Sequence, residues 1–261
     1  MVQVKTWCRK IGRGLAVGAL CAVAAGCATN PPGTVYDPFE PVNRQVFAFN
    51  SAVDTVLVRP VAVVYRDWAP RPFKMMLGNL VNHLTLPMTI VNDLLQGKPE
   101  QAKIAASRFF VNTVAGMGGL IDVATPTGLK LHQEDMGQTF AVHGSGPGPY
   151  LVLPLLGPSN MRDGIGTLID WYADPIHVAS YFPNEGGTAF RYGHAGAIGL
   201  VRREELIDPI DSLKRSSLDY YATVRAAYNQ QREAAIRDGK PDPAAAGRDA
   251  FSETEKATNT Q

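Results

Sequence analysis

Apolar residues recur at steps of three and four along most of the chain from residue 40 to residue 237, the period of helices that bury one side. In residues 40–57 the stripe is Val42, Val46, Phe49, Val53, Val56 and Leu57. Pro60 is expected to end or kink that helix, because proline has no N–H and crowds the carbonyl four residues back. Residues 73–86 and 88–96 read as two short helices broken at Pro87. A further helix starts at Pro99, a favourable first-turn position, and runs through Ile104, Phe109 and Val111 towards Thr113. Helical spacing returns in 160–173, in 187–203 and from Glu204 to Arg237. In that last stretch Leu206, Ile210, Leu213, Tyr220, Val224 and Tyr228 form one stripe with Arg and Glu opposite. Leu206 to Leu213 is expected to pack on the domain.

The pattern changes after Gly116. Between Met117 and Pro158 the chain carries GMGGL, TPTG, HGSGPGPY and LGP, punctuation too dense for long helices. The apolar run from Tyr150 to Pro158 reads as neither helix nor regular strand; it is either an extended wall of the core or a loop resting among acyl chains. Asn160 is placed to cap a helix opened by Arg162 and Asp163. That pair is a weak surface contact if exposed and a structural clamp if buried.

The N-terminus adds a destination. Lys5, Arg9, Lys10 and Arg13 precede an apolar stretch from Gly14 to Ala25, the layout of a secretory signal. About a dozen apolar residues fall short of the ~20 needed to span a bilayer, so residues 1–26 are expected to be removed. The following Ala24-Ala25-Gly26-Cys27 resembles a lipobox, in which Cys27 takes the lipid. Cys8 and Cys21 lie inside the signal, so the mature chain keeps one cysteine and forms no internal disulfide. Loss of the signal leaves 21 basic against 24 acidic residues, net −3, which argues against a nucleic-acid partner. Residues 27–36 are expected to be a lipidated tether, 37–237 a helical domain, and 238–261 a disordered tail too poor in large apolar residues to offset its ordering entropy.

Several motifs in order carry a resemblance. These are Asp37-Pro38-Phe39-Glu40-Pro41-Val42-Asn43-Arg44 with Phe47, Phe49 and Asn50, then NLVNHLTLPMTIVNDLLQGK, RFFVNTVAGMGGLIDVA and EDMGQTFAVHGSGPGPYLVLPLLGPSNMRDGIG. Together, over residues 36–215, they are similar to the MlaA (VacJ) family of outer-membrane lipoproteins. Two positions depart from the family pattern: Met136, usually aromatic, and His143, usually Trp. The resemblance implies an all-α, ring-like protein in the inner leaflet of the outer membrane, with an amphipathic channel through the ring. It implies that mislocalised phospholipids are removed from the outer leaflet and passed to a soluble periplasmic lipid carrier, MlaC, beside a trimeric porin. No cofactor, metal or covalent chemistry is implied. The family-motif positions Asp37, Pro38, Glu40, Asn43, Arg44, Asn50, Asp135, Gln138 and Asp163 are then candidate functional residues.

A headgroup moving past hydrocarbon loses roughly 2–7 kcal/mol for each polar group left without a partner, so a transporter needs a polar path with an apolar outside. Asn79, Asn82, Asn92, Asp93, Asn112 and Asp122, with His83 among them, are candidates for that path. For Asn43, Asn92 and Asn112 the plainer role is a cap or a buried hydrogen-bond partner. Asp37 and Glu40 read first as a helix cap and a first-turn negative charge. Gly116, Gly118 and Gly119 lie where a helix ends; they terminate it or act as the hinge of a channel.

Two other classes of function compete. An enzyme would draw on His132, Glu134, Asp135 and His143, but their spacing fits no HExxH helix and the chain has no GxSxG or phosphate loop. A non-transporting, porin-associated scaffold lipoprotein would bind the porin without moving lipid.

Overall fold

The computed structural model describes residues 35–179 and 187–240. The lipidation site Cys27, nearly all of the tether and residues 241–261 of the expected tail lie outside the described residues. Its architecture is all-α with one small hairpin.

The first helix, α1, runs unbroken from Glu40 to Trp68 over 29 residues. Pro60 does not end it. A π turn at Asp54–Val58 sits just upstream, and the Arg59 N–H reaches back five residues to the Asp54 carbonyl. Such a widened turn relieves the crowding that proline imposes on the preceding turn. Asp37 is not the cap of α1 either: Phe39 holds that position without a side-chain hydrogen bond. The Asp37 carboxylate instead accepts from Asn43 Nδ2 at 2.8 Å, from Arg225 at 2.6 Å and from the Tyr221 hydroxyl.

Helix α2, Arg71–Leu95, also passes through its proline, so the two short helices expected around Pro87 are one. It lies along α3, Pro99–Val114, which matches the expected helix. Val81, Leu86 and Thr89 are buried on α2, and the small Ala102 and Ala105 on α3. Packing over this length outweighs the ~3 kcal/mol that an interior proline costs.

The Gly- and Pro-rich segment folds into short pieces. They are a 3-10 turn at Thr125–Thr127, the helix α4 Met136–Val142, and strands β1 Tyr150–Leu153 and β2 Gly157–Asn160. The strands pair antiparallel, Tyr150 opposite Asn160 and Leu153 opposite Gly157. The run from Tyr150 is therefore a hairpin whose stem is core wall, with Tyr150 and Val152 buried, and whose tip is exposed. Asn160 then caps α5, Met161–Ala173, by accepting from the Asp163 N–H at 2.8 Å.

After α6, Pro175–Ala179, and α7, Gly187–Glu205, the chain does not form the single helix expected from Glu204 to Arg237. It forms α8, Ile207–Ser216, and α9, Tyr220–Ile236. Pro209 lies in the first turn of α8, where its missing N–H costs no helical bond, and Asp219 starts the next helix by accepting from the Ala222 N–H at 3.1 Å. Nor do all the arginines of this stretch lie opposite its apolar stripe: Arg225 and Arg232 point inward with Tyr221 and Tyr228. Residues 238–240, expected in the tail, still close α9, where the Gly239 N–H bonds Ala234 O and Asp238 meets Lys98.

One apolar cluster joins the hairpin to α1 and α9: Tyr150, Val152 and Tyr221 form it, with Val46, Phe47 and Tyr228 packed around them. Ring centroids of Tyr150 and Tyr221 are 6.2 Å apart, edge to face, a favourable aromatic geometry.

Candidate lipid-facing surface and polar interior

Among the described residues, those that are buried are more often polar or charged than apolar, while large apolar side chains crowd the outside. Helix α1 is the extreme case: only 6% of its most apolar stretch is buried. Val56 is 80% exposed and Trp68 83%, and Phe49, Leu57, Val61 and Val64 are exposed on the same helix. In water such a surface is a liability, whereas helices satisfy their own backbone and can rest in hydrocarbon.

The interior is a set of polar clusters. In the first, Asp122 is the hub. Its carboxylate accepts from Arg108 at 3.0 Å, from Asn112 Nδ2 at 3.1 Å and from the Thr125 N–H at 3.1 Å. Asn112 Oδ1 accepts from the Val123 and Ala124 N–H groups at 2.9 and 3.0 Å, fastening the loop after α3. Burial pushes the Asp122 carboxyl up, but hydrogen bonds from Thr125, Asn112 and Arg108 outweigh it and hold the group at about 2. Arg108 also donates to Thr125 Oγ1 and to Leu129 O.

Beside this hub, Asn79, Asn82, His83, Leu86, Arg108 and Asn112 line a cavity of about 10 Å3, room for roughly one water. His83 stacks on Phe109 with centroids 4.7 Å apart. Thr113 Oγ1 donates to Phe109 O at 2.6 Å, so it accepts from His83 Nε2 at 3.3 Å and leaves Nδ1 as the bare acceptor. Burial keeps this imidazole below its usual pKa and therefore neutral. Asn79 donates to Leu120 O, and Asn82 Oδ1 accepts from Gln133 and Arg202, each at 3.2 Å.

Asn92 and Asp93 belong to a different cluster. Asn92 accepts from Thr139 Oγ1 at 2.7 Å and donates to Asp170 at 3.3 Å, while Asp93 faces His132 Nε2 at 2.8 Å. The fold thus gathers Asn79, Asn82, Asn112 and Asp122 around one cavity and sets Asn92 and Asp93 apart from it. Burial raises the Asp170 carboxyl, and it raises Glu134 despite Gln96 and Lys98 alongside.

The three glycines differ. At Gly119, φ is +91° and a Cβ would stand 2.3 Å from the His83 ring; at Gly116 it would meet Ile121 O at 2.2 Å. Gly118 has φ +72° but open space around it. Gly116 and Gly119 are thus required by close approach, and Gly118 by backbone conformation alone.

The family-motif residues converge on α9 and the hairpin. Arg44 bridges Glu40 at 2.8 Å and Asp219 at 2.5 Å. Asn43 and Asn50 hold β1, and Pro38 lies in the turn just before α1. Gln138 donates to Gln133 O at 3.2 Å. Asp135 caps α4 and, with Asp163, receives the guanidinium of Arg232; Arg162 packs against Asp163 at 2.9 Å, a buried clamp. Burial raises the Asp163 carboxyl, yet hydrogen bonds from Arg162, Tyr228 and Arg232 bring it below the usual range.

Four residues of this machinery were not legible as candidates. Arg108 and Arg202 reach the cavity walls, and Arg225 and Arg232 clamp α9. The one available signal was the seven-residue spacing of the last two, which places them on one helix face. The residues an enzyme would use are dispersed: His132 faces Asp93, Glu134 meets Lys98, Asp135 meets Arg232, and His143 bonds Thr139 O. Among the described residues no group of three or more His, Cys, Asp or Glu could hold a metal ion.

An apolar exterior over a hydrogen-bonded polar interior defines a helical protein of the lipid-contacting class. The chain belongs to the MlaA lipoprotein family, whose pattern it matches over residues 35–235. It is 36% identical over 236 residues to the intermembrane phospholipid transport system lipoprotein MlaA of Escherichia coli K12, covering 88% of this chain and 90% of that one. The protein of the same description from Haemophilus influenzae is 28% identical over 238 residues, 85% and 89% of the two chains. An uncharacterised protein of Rickettsia bellii is 36% identical over 203 residues, 78% of each. A solved structure concerned with the maintenance of bacterial outer membrane lipid asymmetry superposes with a TM-score of 0.65 at 36% identity, covering 77% of this chain and 98% of that chain.

Proposed function

We propose that this chain is an outer-membrane lipoprotein that removes mislocalised phospholipids from the outer leaflet and hands them to a periplasmic lipid carrier, MlaC, so that the membrane keeps its asymmetry. The observation that carries this is the inverted burial, apolar side chains outside and bonded polar groups inside. The relatives named for intermembrane phospholipid transport support the cargo. Acylation of Cys27 anchors the chain, residues 27–36 tether it, and a trimeric porin is its neighbour in the membrane. Transport needs no covalent step, so the chain is not an enzyme.

In this reading Asn79, Asn82, Asn112 and Asp122 offer hydrogen bonds to a headgroup along the wall of the path, and Asn92 and Asp93 do so on its second cluster. The Gly116 to Gly119 bend lets the neighbouring helices shift. The deciding experiment compares surface phospholipid in a deletion strain with and without the gene restored. Accumulation in the outer leaflet, reversed by the gene, is expected. An unaltered leaflet together with intact porin binding would instead establish the scaffold.

A further inference from the structure

The hairpin tip is a second apolar feature, separate from the helices. From Gly144 to Met161 the chain carries no charged residue. Between Leu153 and Gly157, which close the hairpin, stand Pro154, Leu155 and Leu156. Leu155 is 69% exposed and Leu156 70%, so two adjacent large apolar side chains project from the turn. The backbone at Leu155 has φ +63°, a left-handed conformation that glycine adopts freely and leucine does not. A soluble hairpin gains nothing from leucine there.

The tip is also held in place. Asn50 Nδ2 donates to Leu153 O at 2.9 Å, and Asn50 Oδ1 accepts from the Leu155 N–H at 2.8 Å. One amide thus grips the chain on both sides of Pro154 and ties the tip to α1. Asn50 follows Phe49, itself 54% exposed, so the tip is tied to the part of α1 that carries exposed apolar side chains.

We propose that Leu155 and Leu156 form a wedge that inserts among the acyl chains of the leaflet that α1 faces. The occupant of this surface is hydrocarbon: the tip is fastened to α1, whose large apolar side chains are exposed, and no charge on the hairpin opposes its entry. The strained leucine is then retained for its side chain, and Asn50 satisfies the Leu155 N–H where water cannot. The inference rests on the membrane-embedded reading above and adds a contact that the helices alone do not provide.

The test places a polarity-sensitive fluorophore on Leu156→Cys in the full mature chain, with Val56→Cys on α1 as reference and the label on the parent chain subtracted. The protein sits in vesicles of phosphatidylethanolamine and phosphatidylglycerol. The expected result is a blue-shifted emission at position 156, quenched by a mid-chain nitroxide lipid and protected from aqueous iodide. Iodide quenching at 156 with protection at 56 would overturn the wedge and leave the embedded reading standing. Shielding of 156 from both quenchers would overturn it in favour of a protein cover, a porin wall or a second copy. Iodide access at both positions would remove the embedded reading itself.

Discussion

Asn43 and Asn50 stand two helical turns apart on α1 and hold successive backbone groups of one strand. Asn43 donates to Tyr150 O and accepts from the Val152 N–H, each at 3.0 Å, while Asn50 takes Leu153 O and the Leu155 N–H. Side-chain amides therefore serve as the missing neighbour strand along the outer edge of β1, and Tyr36 O completes it by accepting from the Tyr150 N–H at 2.8 Å. An edge sealed in this way cannot template pairing with another chain.

Replacing Asn43 with alanine strands a buried N–H and a buried carbonyl. The expected loss is about 2–6 kcal/mol, the cost of two unsatisfied groups. Thermal unfolding in detergent should show it, and Asn43→Asp, which keeps the acceptor but not the donor, should not restore the parent midpoint.

Arg232 forks across two acids, Asp135 at 2.5 Å and Asp163 at 2.9 Å. Arg232→Met leaves Asp163 with Arg162 alone as a charged partner and should loosen α9, at a cost of about 3–5 kcal/mol for a broken buried pair. Lysine carries the charge without the fork, so Arg232→Lys should recover only part of the loss. Faster amide hydrogen exchange across α9 in both variants is the readout.

The acid limb of stability should depend on Asp122. Its folded pKa lies below the ordinary 3.8, at about 2, so its contribution is full above the unfolded value and disappears as pH falls through about 2. That window holds about 2 kcal/mol. Asp170 and Glu134, both raised by burial, act with the opposite sign: their contribution is present at low pH and fades as pH rises through their folded values. Melting temperature measured against pH should lose its steepest acid decline in Asp122→Asn.

Gly119→Ala and Gly118→Ala should separate steric need from backbone preference. At Gly119 the new Cβ strikes a buried ring, so the variant is expected to dislodge His83 and to fold poorly. At Gly118 only the left-handed backbone resists, at about 1–2 kcal/mol. If both variants melt together, packing against His83 does not distinguish them.

Much of the fold was readable where period and caps agree, as from Pro99 to Val114 and from Asn160 to Ala173. It was not readable at Pro60 and Pro87, where local rules break a helix and tertiary packing or a π turn carries it through. The Asn43, Asn92 and Asn112 side chains do take part in buried hydrogen bonds, as their type suggests. Their partners lie up to 109 residues away, and no local pattern names a partner at such a distance. Arg108 was hidden for the related reason that a lone arginine in an apolar helix looks like a surface residue until its acid, 14 positions on, folds back to it.

The widened turn in α1 has a further consequence, which concerns angular phase. One row of residues on this helix that meets the protein runs Asn43, Phe47, Asn50 and Asp54, then Arg59, Ala62 and Arg66. The spacing is three or four everywhere except from Asp54 to Arg59. An ideal helix rotates about 100° per residue, so one extra residue in regular geometry would swing the second half by that angle. Arg59 would leave Asp211, 2.8 Å away, and the cations would turn towards hydrocarbon. The helix thus absorbs an inserted residue without rotating its far end, and removing one residue between Asp54 and Val58 should leave both halves facing as they do now.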